Sequence, residues 1–389
     1  MSMNFYDYLE WRGDLSFDRD PINEVDNLLF TYAAYTDLRE VIKRNEPVTV
    51  HMAAEAFFKF HTEEECLKSG SLIAEAPIIL RRMGNTVRFG NILISNYVRD
   101  INEAESMQFS AMHFEIDKKT SFIAYCGTDD TIVGWKEDFQ LSYKTVKAEL
   151  AAAEYINRTA TKNFHKYYVG GHSKGATLAV YAAMQANAAI KKKIVRVYSD
   201  DGPGISDISI HRKKYDAIKD KIIKIVPQLS VFGLIFDNGE NKTVIKTSKS
   251  GLYEHDPVGW EVSGTKFVSG KLSEDAVTIQ SILMEFLKTM TLTEREDLVN
   301  QLYSAFVKAG IENTTDFTKQ GLPILVKFMK EVTSLNENAR KSLDKLLDVI
   351  KKMLSEKVEG AVKNKVNDIT EALPDFMKPS KNKKEKERA

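Results

Sequence analysis

Tyr167-Tyr168-Val169-Gly170-Gly171-His172-Ser173-Lys174-Gly175-Ala176-Thr177-Leu178-Ala179-Val180-Tyr181 is the stretch from which the rest of the chain is read. It opens as a short apolar strand and closes as a helix of small and apolar residues. Between them stands Gly171-x-Ser173-x-Gly175, the pattern of a nucleophile elbow. Such a turn holds its serine at a strained backbone position. The helix that follows passes so close that a Cβ at either flank would clash. The N-terminus of that helix aims free N–H groups and the positive end of its dipole at the place where an oxyanion forms. Stripped of chemistry, the same pattern is a glycine-rich strand-to-helix turn.

The neighbouring segments supply a sheet for this turn. Residues 108–116 and 121–126 read as two strands of a hairpin around Asp117-Lys118-Lys119, and the sheet is expected to begin near residue 107. Gly127-Thr128-Asp129-Asp130 ends the hairpin, Gly134-Trp135-Lys136-Glu137-Asp138 follows, and a long amphipathic helix then runs to about Ile156, with Val146, Leu150, Ala153 and Tyr155 among its apolar positions. Beyond the elbow helix, residues 194–199 form a strand that stops at Asp200-Asp201-Gly202-Pro203-Gly204. A polar helical piece follows, then strands at 221–226 and 243–247, separated by the apolar run Leu229–Phe236. Strands alternating with helices from residue 120 onward predict an α/β fold of the α/β-hydrolase kind, a mostly parallel sheet flanked by helices.

The flanks are helical. Residues 1–20 read as an arm or short helix, and Asn23 as the N-cap of a helix reaching Tyr35. Further helical pieces continue to about residue 90. From residue 271 helices dominate, the last over Ala339 to Val358 with Leu343, Leu346, Leu347, Ile350 and Leu354 at helical spacing. The chain thus divides into 1–270, the hydrolase-like domain with its helical N-terminal segment; 271–377, a helical C-terminal region; and 378–389, a Lys-rich tail read as disordered.

Composition narrows the function. Among 389 residues, 43% are hydrophobic and 28% charged, ordinary values for a globular protein. A formal net charge of +0 gives no global pull toward nucleic acid. The two cysteines, Cys66 and Cys126, are too far apart for a zinc motif and suit a reducing compartment. The N-terminus lacks the basic and apolar regions of a signal peptide, and no apolar run approaches the roughly 20 residues of a membrane span. The expectation is a cytoplasmic protein without a transmembrane segment. The Lys-rich tail leaves room for contact with a membrane surface, and the C-terminal helices for a protein partner.

A nucleophilic serine needs a base, an acid to orient that base, and donors for the oxyanion. In this fold class the order is serine, acid, histidine. Only His211 and His255 follow Ser173. His211 belongs on a helix between strands, whereas His255 lies in the loop after the last strand, so His255 is the expected base. For the acid, Asp201 is preferred because its Asp-Gly-Pro-Gly turn fixes the backbone; Asp200 and then Asp256 are the alternatives. The oxyanion hole is expected to combine the backbone N–H of Lys174 with the loop at Gly127-Thr128, where the Thr128 hydroxyl is a further donor. No metal or cofactor is required.

Taken together, Tyr125-Cys126-Gly127-Thr128-Asp129-Asp130, Gly134-Trp135-Lys136-Glu137-Asp138, Gly171-His172-Ser173-Lys174-Gly175 and Asp201-Gly202-Pro203-Gly204 resemble an uncharacterised bacterial family of lipase-like α/β-hydrolases. The likeness extends more distantly to the fungal-type class 3 lipases. The resemblance implies Ser173 as nucleophile, His255 within a His-Asp-Pro…Trp block ending at Trp260, and an oxyanion loop at Thr128. Two positions depart from it: Ala176 stands where the family often has glycine, and Lys224 stands where class 3 lipases keep their acid, ahead of Val226-Pro227. Leu229–Phe236 is too apolar for an exposed loop and reads as core, acyl pocket or lid. The expected substrate is a small-molecule or lipid ester with a hydrophobic acyl group. A thioesterase, a peptidase and a non-catalytic scaffold are the other readings the fold admits.

Overall fold

Phe122 and Ala124 leave the strand Thr120–Tyr125 on one side and Ile123 and Tyr125 on the other, and all four are fully buried. Alternation with apolar groups on both sides marks a central strand covered on both faces. The computed structural model describes residues 3–357 apart from 43–45, 70, 72, 207, 314–315 and 317–321. In it this strand belongs to an eight-stranded sheet whose strands lie side by side in chain order. They are β1 (Val48–Thr49), β2 (Leu93–Asn102), β3 (Met107–Asp117), β4 (Thr120–Tyr125), β5 (Lys166–His172), β6 (Ile194–Asp200), β7 (Ile222–Pro227) and β8 (Lys242–Ile245). Pairing is antiparallel from β1 to β4 and parallel from β4 to β8.

Helices make the crossovers. Ile132–Gln140 and Lys147–Thr159 join β4 to β5, Lys174–Gln185 and Ala188–Lys193 join β5 to β6, and Ile208–Asp216 joins β6 to β7. This is the expected α/β-hydrolase-like architecture, a mostly parallel sheet flanked by helices. One face carries the N-terminal segment, where Phe30 lies 5.1 Å from Phe122 and 4.7 Å from Phe114 between ring centres. The other face packs Tyr155, Leu178 and Met184 around Ile123, Val169 and Val197. Asn23 caps the helix Glu24–Ala33 as expected, and the first residues form a helix, Phe5–Arg12.

Three expectations are corrected. The sheet begins before residue 107: β2 is a full partner of β3. Its polar residues Asn96, Arg99, Asp100 and Asn102, with a bulge between Ser95 and Val98 and Asn96 at φ 52°, erase the strand pattern. The long helix expected after Asp138 starts only at Lys147, and a separate helix, Ile132–Gln140, precedes it across residues 141–146, which contain no glycine or proline. Carboxylates restart it: Glu149 accepts the Val146 N–H at 2.9 Å and Glu137 the Ala148 N–H at 3.0 Å. Leu150, expected on its apolar face, is exposed.

The C-terminal helices Glu274–Lys288, Leu292–Ala309, Leu322–Thr333 and Glu337–Lys357 meet through Phe286, Met290, Leu298, Ala305, Val332 and Leu335. They also reach the sheet domain. Ala309, Ile311 and Ile324 pack on Ile132, whose N–H donates to Glu312 O at 3.0 Å. Val358 and the Lys-rich tail lie outside the described residues. Among the described residues no helix is long and apolar enough to cross a membrane.

Candidate active site

Ser173 sits where β5 turns into the helix Lys174–Gln185, at φ 57° and ψ −132°. A residue with a Cβ rarely adopts this backbone and is strained in it. The flanking glycines are required by contact. A Cβ on Gly171 would lie 2.1 Å from the carbonyl carbon of Gly175, and one on Gly175 would lie 2.3 Å from Tyr125 O. The helix start is therefore wedged against the ends of β4 and β5. The Ser173 N–H donates to Asp200 O at 2.9 Å, which ties the turn to β6.

Asp201 follows the tip of β6 at φ 45° and is fully buried. Its Oδ2 lies 2.6 Å from His255 Nδ1. Its Oδ1 accepts from Ser230 Oγ and from the Gly233 N–H at 3.2 Å. With Nδ1–H donated to the carboxylate, the His255 ring keeps its free lone pair on Nε2, the form a general base needs. Asp200 points elsewhere, its two oxygens 3.0 and 2.8 Å from Asn27 Nδ2. Burial pushes its carboxyl up to about 8. Asp256 pairs with Lys249. His211 stays on the helix Ile208–Asp216, with its ring against Tyr181. Lys224 is buried on β7, 3.9 Å from Glu240.

His255 ends a short 3-10 turn, Gly251–His255, and its surroundings are aromatic. The His172 ring lies 4.5 Å from it and the Phe232 ring 4.6 Å. His172 Nε2 is 2.9 Å from the His255 carbonyl, so that nitrogen carries the proton, while Nδ1 is 3.1 Å from Tyr35 Oη. Burial, and then the neighbouring His255, push His172 well below the ordinary histidine value and keep it neutral. Trp260 donates its indole N–H to Glu254 O at 3.0 Å and so braces the turn before the histidine.

The loop after β4 approaches the elbow closely. A Cβ on Gly127 would lie 2.6 Å from His172 O and 2.0 Å from Tyr35 Oη. Thr128 Oγ1 lies 2.6 and 2.7 Å from the oxygens of Asp138, so its proton is held by that carboxylate. That bond engages the hydroxyl expected as a further oxyanion donor. Burial pushes Asp138 up to about 6, against Lys174 and Thr128, which pull it down. Beside this loop lies a cavity of about 770 Å³, walled by Tyr35, Phe57, Phe60, Ile73, Arg99 and Asp129 among others.

A family model described as Mbeg1-like matches residues 83–304, the span from β2 through the elbow and His255 into the second C-terminal helix. The chain belongs to the Mbeg1-like family. Among solved structures it is similar to one titled "Crystal structure of M37 lipase", with 16% identity, a TM-score of 0.31, and coverage of 53% of this chain and 68% of that one. No curated protein matches the chain.

In this Mbeg1-like chain several side chains near the site carried no readable sequence signal. Asn27 and Tyr35 come from the N-terminal segment, more than 130 residues before the groups they contact. Ser230, Phe232 and Leu234 divide the apolar run between tasks. Ser230 holds Asp201, Phe232 covers His255, and Leu234 is buried in the core. Among the described residues no group of three or more His, Cys, Asp or Glu is arranged to hold a metal ion.

Proposed function

We propose that this protein is a serine hydrolase that cleaves carboxylic esters. The observation that carries the reading is the Asp201–His255 pair, closed at 2.6 Å, with the His255 ring 4.5 Å from that of His172, the residue before a serine held at φ 57° on a strand-to-helix turn. In this reading His255 Nε2 takes the Ser173 hydroxyl proton as the oxygen attacks the ester carbonyl. Asp201 stabilises the imidazolium that results. The backbone N–H groups of Lys174 and Thr128 receive the oxyanion. Collapse of the tetrahedral intermediate expels the alcohol, which takes its proton from His255. Water, activated by the same histidine, then frees the acid and restores the serine.

The Phe232 ring over His255 supports an ester with a hydrophobic acyl group, from a small molecule or a lipid. The leaving group is tested by rates on ester, thioester and anilide substrates that share one acyl chain. The reading expects esters to be turned over fastest. Anilide cleavage at a comparable rate would make the protein a peptidase instead. No turnover of any of them by a folded sample would favour a binding scaffold.

A further inference from the structure

The side chain of Lys174 comes directly after the serine, yet only 1% of it is exposed. A buried ammonium needs an acceptor for each of its three protons. Gln108 O at 3.1 Å, Gln108 Oε1 at 2.7 Å and Glu137 Oε2 at 3.0 Å supply them. Glu137, also fully buried, takes the backbone N–H groups of Gln108 and Ala148, each at 3.0 Å. Burial pulls the ammonium down, but Glu137 and Asp138 outweigh it and leave the group above the ordinary lysine value. One cation thus links the elbow helix to β3 and to the helix Ile132–Gln140.

The consequence lies one bond further on. An amide side chain has an accepting end and a donating end of nearly the same shape. The Lys174 ammonium claims Gln108 Oε1, so Gln108 Nε2 faces away from it and donates to Gly127 O at 3.2 Å. In a planar trans peptide the carbonyl and the following N–H point in opposite directions. Drawing the Gly127 carbonyl toward Gln108 therefore turns the Thr128 N–H to the opposite side.

We infer that Lys174 is a positioning residue: acting through the Gln108 amide, its ammonium sets the direction of the Thr128 N–H in the oxyanion hole. This rests on Ser173 being the nucleophile and deepens that reading. Without the ammonium, the Gln108 amide is free to reverse and present its oxygen to the Gly127 carbonyl, and the peptide loses its orientation. Asp138 holds the same loop from the Thr128 hydroxyl, so the donor is set from two directions.

The test compares Lys174→Met and Gln108→Met, singly and together, with the wild type, after melting curves establish that each is folded. Gln108→Met keeps the length of the side chain but has no N–H for Gly127, and it carries the test alone if Lys174→Met does not fold. Each single variant should lose about 100-fold in kcat, the scale of a misplaced catalytic group, with KM close to wild type. Fluorophosphonate labelling of Ser173 should slow in parallel, because the phosphonyl oxygen occupies the same hole. The double variant should be no slower than the slower single one. A folded Gln108→Met protein with wild-type kcat, or a loss expressed in KM, overturns the inference and leaves the nucleophile standing. A wild type that never labels at Ser173 overturns both.

Discussion

Asp200 and Asp201 are adjacent in the chain, yet Asp201 reaches His255 Nδ1 at 2.6 Å while Asp200 is gripped by Asn27 Nδ2 at 2.8 and 3.0 Å. Two consecutive carboxylates at one strand tip thus have unrelated partners. Asp201→Asn should lower kcat by about 10⁴-fold, because the amide no longer holds the imidazole in the tautomer with Nε2 free. Asp200→Asn should keep most of the activity. Initial rates on a single ester separate the two, and equal small losses would remove both residues from the proposed triad.

Asp200 also predicts a pH dependence of stability. Burial raises its carboxyl to about 8 in the folded protein, against an ordinary 3.8. Between those values the folded state binds more protons than the unfolded state, so stability falls as pH rises through the window. Asp138 at about 6 and Glu149 at about 7 act with the same sign. The decisive quantity is therefore the difference between variant and wild type. Urea midpoints at pH 5 and pH 8.5 should fall less for Asp200→Asn than for the wild type. Parallel decline would place the proton elsewhere.

The backbone at Ser173 predicts a trade of stability against chemistry. Both Ser173→Ala and Ser173→Gly lack the hydroxyl, but only glycine adopts φ 57°, ψ −132° without strain. The glycine variant should be the more stable of the two by ~1 kcal/mol, the lower end of the cost of a strained residue, after its larger unfolded-state entropy is offset. Denaturant unfolding of the pair measures this, and equal midpoints would mean that the turn stores no strain at the serine.

What the sequence made legible follows from where the physical constraints are local. Gly171, Ser173 and Gly175 lie within five residues, and the clashes that demand glycine are among neighbours, so the elbow is readable from spacing alone. The apolar alternation in β3 and β4 is equally local. β2 was illegible because it is polar and bulged, and is held in place by β3 and not by its own pattern. The break between Gln140 and Lys147 carries no glycine or proline, and of the carboxylates that restart the helix Glu149 is three residues from Val146 while Glu137 is eleven from Ala148. Which of Asp200 and Asp201 meets His255 is set by the direction of each side chain at the end of β6, a matter that composition does not record. Lys174 enters the sequence reading only through its backbone N–H, because the acceptors that bury its ammonium come from Gln108 and Glu137, 66 and 37 residues away.

Ser230 supplies one of the donors that orient Asp201. Removing it leaves the Gly233 N–H at 3.2 Å as the remaining donor to Oδ1. A hydrogen bond to a charged group contributes ~1.5–3 kcal/mol, so Ser230→Ala should lower kcat by about 10-fold or more and leave KM near wild type. An unchanged kcat would show that Gly233 and His255 suffice to hold the carboxylate.

The C-terminal helices press on Ile132, four residues beyond Thr128, the donor proposed for the oxyanion. Ile132 follows Thr131 and is covered by Ala309, Ile311 and Ile324. Truncation after residue 270 should therefore lower both the melting temperature and kcat, through exposure of Ile132 and release of its N–H from Glu312 O. A truncated protein with wild-type rate and stability would make the helical region an independent appendage.

The central claim is that Ser173 is an activated nucleophile, and the most direct measurement is covalent labelling of the purified, folded protein with a fluorophosphonate probe. The account predicts stoichiometric labelling of the wild type, located at Ser173 by peptide mapping, and none of Ser173→Ala. Absence of labelling in a folded wild type, or equal labelling of the variant, would contradict it.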